Sequence, residues 1–325
     1  MPPTETLYKC MDERAAAFET EYGGCSLEII KNRAIADDDV VLICVVKDDL
    51  VRIKEFIKHY RWQGITRFAF VDNGSTDGTR EFLLAQADCD VYGCELTYSS
   101  LRRVVWLNKL IERYGSKRWY VMVDSDEFIF YPGMEKISLL ELISYSERND
   151  ISRISGYLVD MYANDKLFGL NMGESFRKKA CYFDGTGYDI HNTGHGVSIM
   201  GGPRRRMFRL NNELAKCPIF KLGEEDIVAS AHFLLPRIKA RQNPLWLAIG
   251  HYKFLDSSDM EKINAAVKNE NYAGGSHDYK LYQKGMQSEA VKTFYDKDIS
   301  VELTDSSVLK RLPFLDFHVG DFYGQ

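Results

Sequence analysis

The sequence predicts an α/β protein, built on a mostly parallel open sheet with helices packed on its faces. The first observation is a continuous apolar run, VVLICVV at residues 40–46, which is rich in β-branched residues, as expected of a strand buried on both faces. The second is that strand-like and helix-like segments alternate after it. The third is that acidic and polar residues follow the predicted strands where the apolar runs stop.

The predicted elements follow from hydrophobic spacing and from turn residues. In order, they are a strand at 40–46, a helix at 50–64, a strand at 67–72, a helix at 79–87, a helix at 100–115 and a strand at 118–124. The first helix stops at Gly64, and Thr79 is the predicted N-cap of the second. Strands separated by helices in this way favour a parallel sheet, because a parallel crossover needs a long connection.

The pattern divides the chain into an N-terminal extension at 1–38, a main α/β domain at 39–255 and a helical C-terminal appendage at 256–325. With 325 residues, 45% of them hydrophobic, the chain can bury a large core. No run reaches the ~20 apolar residues of a membrane helix. The N-terminus also lacks the basic start and apolar core of a secretory signal.

The charge balance is close to even, with 42 Lys and Arg against 47 Asp and Glu, for a net charge of -5. This argues against a general nucleic-acid binder, so an anionic ligand would depend on local basic groups. The seven cysteines show no spacing typical of a zinc site or a redox motif. They predict reduced thiols in the cytoplasm.

The segment YVMVDSDEFIFYPG, residues 120–133, places three acids between two apolar runs: Asp124, Asp126 and Glu127. If the segment is extended, Asp124 and Asp126 lie on one side, roughly 6–7 Å apart. Two carboxylates that close need a cation between them, or one of them must hold a proton. Hard oxygen donors suit Mg²⁺ or Mn²⁺. The segment therefore predicts a metal site, although an isolated Asp-x-Asp is also common in solvated turns.

Polar clusters follow three predicted strands, at residues 47–49, 72–79 and 124–127. Because ligands of open α/β sheets bind at the carboxyl ends of the strands, we expect the three clusters to converge on one edge. The second, DNGSTDGT, is by itself ordinary turn chemistry. As a strand-end loop it would hold a nucleoside through Asp72 and backbone groups. Its glycine spacing fits neither a dinucleotide-binding turn nor a P-loop, which argues against a dehydrogenase or a nucleotide triphosphatase.

The stretch from residue 40 to 79 resembles the opening of family 2-type nucleotide-sugar glycosyltransferases of the glycosyltransferase-A fold. It is most similar to a bacterial branch whose first helix ends in H-Y-x-x-x-G, here residues 59–64, and whose metal motif is D-x-D-E-F, here residues 124–128. Looser similarity continues in the same order, to about residue 315, through HNTGHG, GGPRRRMF, KCPIFKL, SAH, GHYKF and NYAGGSHDYKLYQKG. The sequence departs from the branch at Lys47-Asp48-Asp49, where Lys-Asn-Glu is more usual.

The resemblance implies a transferase that uses Mn²⁺ or Mg²⁺ to move a hexosyl or related sugar from a nucleotide-diphosphate donor, uridine-linked by preference. The acceptor would be a hydroxyl of a glycan or lipid-linked glycan, which implies a cytoplasmic protein with peripheral contact at the inner face of the membrane. Asp49 and Asp72 would contact the base and ribose. Asp124 and Asp126 would hold the metal and diphosphate, with Asp126 the direct ligand, and His251 would be a later metal ligand.

Further nucleotide-sugar contacts are predicted at Lys47, Asn73, Arg204 and Lys253, because each lies in or next to one of these segments. Arg204 opens a basic run that follows a glycine-rich loop and could bind the diphosphate or an anionic acceptor. Two other groups of residues are expected to have no direct role in the site. Arg102 and Arg103 on the third helix are expected to be solvated, and Tyr272, Tyr279 and Tyr282 are expected to pack rather than to stack on sugars.

The catalytic base is the least certain assignment. An inverting transfer, which we expect, needs a carboxylate or histidine within hydrogen-bond reach of the acceptor hydroxyl. The candidates are Glu225, Asp226, Asp189 and His195, with Glu224 beside them; none is favoured, and a retaining course stays open. His232 is left open between a core histidine and a site residue.

Two other functions remain as alternatives. A nucleotidyltransferase also uses paired acids and Mg²⁺, but it would carry a glycine-rich loop with Arg and Lys directly after the first strand, and VVKDDLVRI has no glycine. A non-catalytic sugar-nucleotide-binding protein would not need Asp124, Asp126 and His251 together. The sequence leaves open the donor sugar, the acceptor and the oligomeric state.

Overall fold

A computed structural model describes residues 15–36, 39–172, 175–193, 196–224, 226–235, 245–287 and 292–315. The helices are α1 at 15–24, α2 Leu50–Trp62, α3 Thr79–Ala85, α4 Ser100–Tyr114, α5 Leu139–Arg148, α6 Phe176–Lys179, α7 Gly202–Phe208, α8 Ser257–Asn269 and α9 Ala273–Met286, followed by a 3-10 helix at Ser306–Arg311. Within these ranges no helix combines the length and the apolar character needed to cross a membrane.

The strands are β1 Glu28–Lys31, β2 Val41–Val46, β3 Phe68–Asp72, β4 Cys89–Gly93, β5 Trp119–Met122, β6 Glu127–Phe130, β7 Arg153–Asp160, β8 Tyr182–Asp184, β9 Tyr188–Thr193, β10 Gly196–Gly201, β11 Ala215–Lys221, β12 Ile227–Val228, β13 Leu234–Leu235, β14 Trp246–His251 and β15 Ser300–Glu302. Nine of them form one sheet in the order β1-β4-β3-β2-β5-β11-β7-β14-β6.

The predicted α/β class, with an open sheet and flanking helices, is confirmed. The block β4-β3-β2-β5 is parallel, and so is the pair β7-β14. Antiparallel pairs join β1 to β4, β11 to both β5 and β7, and β14 to β6.

The sheet has a core on each face. Leu42 of β2 packs in one core cluster with Phe56 of α2, whereas its neighbour Ile43 packs in the other with Trp106 of α4. Successive side chains of a strand point to opposite faces, so a strand between two helical layers must be apolar at every position. This explains the uninterrupted VVLICVV run.

Two local predictions are wrong. The helices α3 and α4 are not consecutive, because β4 lies between them; its sequence CDVYG is short and carries Asp90 and Gly93, so it lacks a recognisable strand pattern. Thr79 is the first residue of α3 rather than its N-cap. Gly78 caps the helix with a φ of 93°, which glycine adopts without strain, and Asp77 accepts from the Thr79 backbone and hydroxyl.

Both predicted extensions contribute to the folded core in the part of the chain that is described. Strand β1, from the N-terminal extension, pairs with β4 at the edge of the sheet. After residue 255, Asp259 of α8 forms a buried ion pair at 2.5 Å with Arg52 of α2. The predicted boundaries at 38 and 255 stay predictions. The six described cysteines, Cys25, Cys44, Cys89, Cys94, Cys181 and Cys217, are free thiols.

Candidate metal and nucleotide site

The carboxyl ends of the central strands meet at one edge of the sheet. The hydroxyl of Ser125, after β5, donates to Asp49 Oδ2, after β2, at 2.5 Å. At the far end of the same edge, β14 ends at His251, which is in register with Asp160 of β7 and Glu127 of β6. The topology therefore brings residues that are far apart in the sequence, from Asp49 to His251, to the same edge of the sheet.

The segment 124–127 is a turn rather than an extended strand, which corrects the expected spacing. The Glu127 amide donates to the Asp124 carbonyl at 2.9 Å, and the Glu127 carboxylate accepts from the Asp124 amide at 3.0 Å. Asp124, Asp126 and Glu127 can each offer one oxygen, and these oxygens lie within 4.8 Å of one another. Three carboxylate oxygens that close can serve as ligands of one hard divalent cation.

Most acids at this edge already have a basic partner from the chain. Arg103 pairs with Asp124, and Lys216 Nζ contacts the two Glu127 oxygens at 2.6 and 2.8 Å. Asp49 accepts from Arg52 at 2.9 Å, and Lys262 lies 3.0 Å from the same oxygen. Lysines and arginines of the chain therefore offset much of the charge at this edge.

Asp126 differs from its neighbours. Among the described residues, its only partner within ion-pair distance is His251, whose Nε2 lies 3.5 Å from Asp126 Oδ2. Burial raises the pKa of Asp126, but His251, Lys253 and Arg52 together hold that pKa below its usual range. Asp126 is thus an ionised carboxylate that contacts neither a lysine nor an arginine among the described residues.

The other nitrogen of His251 is fixed by a buried carboxylate. Asp160 Oδ1 lies 2.6 Å from Nδ1, and Arg204 Nε donates to Asp160 Oδ2 at 2.7 Å. Burial raises the pKa of Asp160, but Arg204 and His251 hold it below its usual range, so the carboxylate accepts and Nδ1 carries the proton. The hydrogen-bond network assigns a proton to Nδ1, and Nε2 is the nitrogen that faces Asp126.

This arrangement fits a divalent ion. Nε2 of His251 and Oδ2 of Asp126 lie 3.5 Å apart, so a divalent ion that displaces any proton from Nε2 can be held by both atoms. Metal-binding histidines typically donate their second N–H to a carboxylate, which fixes the ring and raises its basicity. Asp126 and His251 would hold the ion, with Asp124 the nearest further ligand.

Replacing Asp160 with asparagine should weaken Mn²⁺ binding about 10–100-fold, because the variant loses the charge that fixes the histidine tautomer. Mn²⁺ binding is measured by electron paramagnetic resonance on the purified protein. Asp184→Asn is the matched control, since the Asp184 side chain is about as buried as that of Asp160 and pairs with Arg206, but has no contact to His251 among the described residues. Equal losses in both variants would contradict a specific role of Asp160.

The predicted nucleotide residues of β3 have different surroundings. Asp72 is fully buried; its Oδ2 accepts from Arg80 at 2.5 Å, and its Oδ1 has no hydrogen-bond partner among the described residues. A buried oxygen left without a hydrogen bond is costly, which marks Asp72 Oδ1 as unusual among the described polar atoms. Asn73 instead donates to the carbonyls of Cys94 and Leu96 at 2.7 and 2.8 Å, which holds the loop after β4.

The predicted basic contacts are also partly engaged. Lys47 is exposed at the end of β2. Lys253 Nζ donates to the Tyr279 hydroxyl at 3.0 Å; burial lowers the Lys253 pKa, but Asp126, Tyr272 and Tyr282 together hold that pKa above its usual range, so the amine is charged near the metal candidates. The ring of Tyr279 packs 4.3 Å from that of Tyr272, centre to centre, as expected of packing tyrosines.

The arginine run is not a free anion-binding patch. Arg204 is buried against Asp160, Arg205 pairs with Asp189, and Arg206 lies 2.9 Å from Asp184. Arg204 therefore acts on the site indirectly: it contacts Asp160, and Asp160 contacts His251. Direct contact of Arg204 with the donor stays a prediction.

Asp226 does not belong to this site. It pairs with Arg153, at 3.2 Å, at the start of β7, whereas Asp160 lies at the end of the same strand. Seven residues of extended chain span about 23 Å, at ~3.3 Å per residue. This position does not support Asp226 as the catalytic base. Glu224 pairs with Lys117, which precedes β5 and so lies at the edge away from Asp124.

The remaining base candidates are not brought to Asp126 by any described contact. Asp189 lies on β9, half exposed and paired with Arg205. Glu225 and His195 lie outside the described residues. His232, left open by the sequence, lies at the site edge: its Nδ1 is 3.2 Å from the Ala215 carbonyl, and burial, with Lys216 next, lowers its pKa to about 3. It is therefore a neutral imidazole at pH 7.

Sequence reasoning missed three residues of the site: Arg103, Asp160 and Lys216. Arg103, expected to be solvated, is largely buried against Asp124. Asp160 is the last residue of β7, and this acid at the end of an otherwise largely apolar stretch was the available signal. Lys216 lies within the segment KCPIFKL, where a lysine beside apolar residues gave no indication of its partner.

Comparisons with known proteins give distant structural likenesses. No model of a known protein family matches the chain, and no curated protein sequence matches it significantly. It is similar to residues 1–349 of TarS from S. aureus, at 15% identity over 76% of this chain and 70% of that one, with a TM-score of 0.33.

Two further likenesses differ in the stated activity of the known protein. One is to the mannosyltransferase PcManGT from Pyrobaculum calidifontis in complex with GDP-Man and Mn²⁺, at 15% identity over 46% and 44% of the two chains, with a TM-score of 0.28. The other is to a nucleotidyl transferase from Methanothermobacter thermautotroptrophicus, at 10% identity over 72% and 99%, with a TM-score of 0.26. At TM-scores below 0.5 these likenesses do not decide the function, which is argued from the site.

Proposed function

We propose that this protein is a metal-dependent glycosyltransferase of the glycosyltransferase-A type. It moves a sugar from a nucleotide-diphosphate donor, uridine-linked by preference, to a hydroxyl of a glycan or lipid-linked glycan. The observation that carries the proposal is the ionised carboxylate of Asp126, which has no Lys or Arg contact among the described residues and faces His251 Nε2 at 3.5 Å, where the parallel strands of the sheet end.

The residues around this pair suit a leaving diphosphate. Asp126 and His251 would hold Mn²⁺ or Mg²⁺, which when bound supplies Lewis-acid stabilisation of the charge that develops on the leaving diphosphate. Lys253 adds a fixed positive charge beside Asp126. Preorganised cations of this kind stabilise the transition state more than the ground state, because the negative charge grows as the sugar leaves.

The donor's nucleoside would lie further along the edge. Asp72, with its unpartnered buried oxygen, would accept from a base or ribose donor group, and Asn73 holds the adjacent loop in place. Asp49 would contribute less directly, since Ser125, Arg52 and Lys262 occupy its oxygens. The acceptor, its base, the membrane contact and the inverting course belong to the proposal on the family resemblance alone.

A binding experiment tests the proposal. Uridine, guanosine and cytidine diphosphates are added with and without Mn²⁺, and the thermal midpoint is measured. We expect one nucleotide to raise the midpoint in a metal-dependent way; ligand at 100 times its Kd adds about 2.7 kcal/mol of stability. A protein stabilised by no nucleotide in the presence of metal would not be a nucleotide-sugar enzyme.

Product analysis then separates the proposal from its rivals. A donor-sugar panel with mass detection should release a nucleoside diphosphate together with a transferred or hydrolysed sugar. A nucleotidyltransferase would instead release inorganic diphosphate from a nucleoside triphosphate and a sugar phosphate. A non-catalytic binder would release neither while still showing the metal-dependent midpoint.

A further inference from the structure

Arg103, in the first turn of α4, forms an ion pair with Asp124, the first acid of the metal-binding turn. Its side chain is 11% exposed and that of Asp124 is 32% exposed, so the pair lies just inside the mouth of the site. The neighbouring Arg102 contacts Glu21 at 3.0 Å and the Thr97 carbonyl instead. One of the two adjacent arginines thus faces the acidic turn, and the other does not.

This ion pair conflicts with full metal coordination by the turn. Arg103 contacts Asp124 Oδ1, and the oxygens of Asp124, Asp126 and Glu127 that could share a cation lie within 4.8 Å of one another. A divalent ion held among them would lie close to the guanidinium, and the two positive charges repel each other strongly in a partly buried site. Asp124 can join the metal fully only when Arg103 moves away.

The described carboxylates around Arg103 offer it no replacement partner. Both oxygens of Glu127 contact Lys216, and Asp49 contacts Arg52 and Lys262. Asp126 faces His251 and is the proposed metal ligand. If Arg103 leaves Asp124, the anion that replaces Asp124 must therefore come from a bound ligand. The planar guanidinium matches two phosphate oxygens well.

We propose that Arg103 exchanges between two anions: Asp124 while the site is empty, and the diphosphate of the donor once metal and donor are bound. This inference rests on the proposed function. It makes metal and nucleoside diphosphate bind cooperatively, because the nucleotide removes Arg103 from the metal's path and the metal frees Arg103 for the nucleotide. Such coupling is reciprocal by linkage.

The test is a pair of titrations on the whole protein, with Mn²⁺ alone and with uridine diphosphate at saturating Mn²⁺, using calorimetry. In Arg103→Ala we expect Mn²⁺ alone to bind at least about 5-fold more tightly and the nucleotide roughly 10-fold more weakly, within the usual range of coupling factors. Arg103→Lys keeps the charge but not the fork, so its coupling should be intermediate. Arg102→Ala should match the wild type.

The opposite signs of the two changes distinguish exchange from a structural role, since a poorly folded variant would bind both ligands more weakly. Arg103→Ala that weakens both, or that matches Arg102→Ala in both, overturns the inference even though the wild type binds nucleotide with metal. A wild type that binds neither uridine diphosphate nor another nucleoside diphosphate with Mn²⁺ overturns the proposed function instead, and the inference with it.

Discussion

Replacing Asp126 with asparagine is expected to lower donor turnover by roughly 10²–10³-fold, the order of loss found when one group that supports transition-state charge stabilisation is removed. Asparagine keeps the size of the side chain but removes the negative charge that faces His251 Nε2 at 3.5 Å. A metal held by a neutral amide binds weakly, so nucleotide-dependent stabilisation should also lose its metal dependence. The measurement is release of nucleoside diphosphate, alongside the thermal midpoint with Mn²⁺.

The controls isolate the metal role from folding. Asp184→Asn neutralises another buried acid, away from His251, and should turn over donor like the wild type. His251→Ala in the Asp126→Asn background should add little further loss, because residues that hold one ion act as a unit. Unchanged metal dependence in Asp126→Asn would place the ion elsewhere and remove the basis of the proposed function.

The sequence predicted β2, β3 and β5 of the parallel block, because each of these strands carries its own local pattern. VVLICVV is apolar throughout since both faces of β2 are covered, and α2 has its apolar residues at helical spacing since one face packs on the sheet. The strand-end rule then placed Asp49 and Ser125 together, as their 2.5 Å contact bears out. Strand β4 was missed because its short sequence, CDVYG, includes Asp90 and shows no apolar pattern typical of a strand.

The partners of the acids could not be predicted in the same way. Lys216 is 89 residues from Glu127, and His251 is 91 residues from Asp160, so no local spacing connects them. Only the antiparallel insertion of β11 between β5 and β7 brings Lys216 beside the turn. The surroundings of Asp226 were hidden for the same reason: it pairs with Arg153 at the start of β7, at the opposite end of that strand from Asp160.

Replacing Lys216 with methionine is expected to destabilise the protein by about 3–5 kcal/mol, the usual cost of leaving one buried charge without its partner. Lys216 is 2% exposed and Glu127 3% exposed, and the lysine contacts both carboxylate oxygens. The methionine fills similar space but leaves Glu127 ionised in a dry environment or forces it to take a proton. The free energy of unfolding is measured with urea.

A double variant makes this prediction specific to the charge pair. Lys216→Met combined with Glu127→Gln removes both charges, and the glutamine oxygen can still accept from the Asp124 amide, as Glu127 does at 3.0 Å. Because replacing both partners of a buried pair is often nearly neutral, the double variant should recover most of the lost stability. A double variant as unstable as Lys216→Met alone would instead mean that the lysine stabilises the protein through packing rather than through its charge. Glu127 would then hold the turn at 124–127 without needing the charge of Lys216.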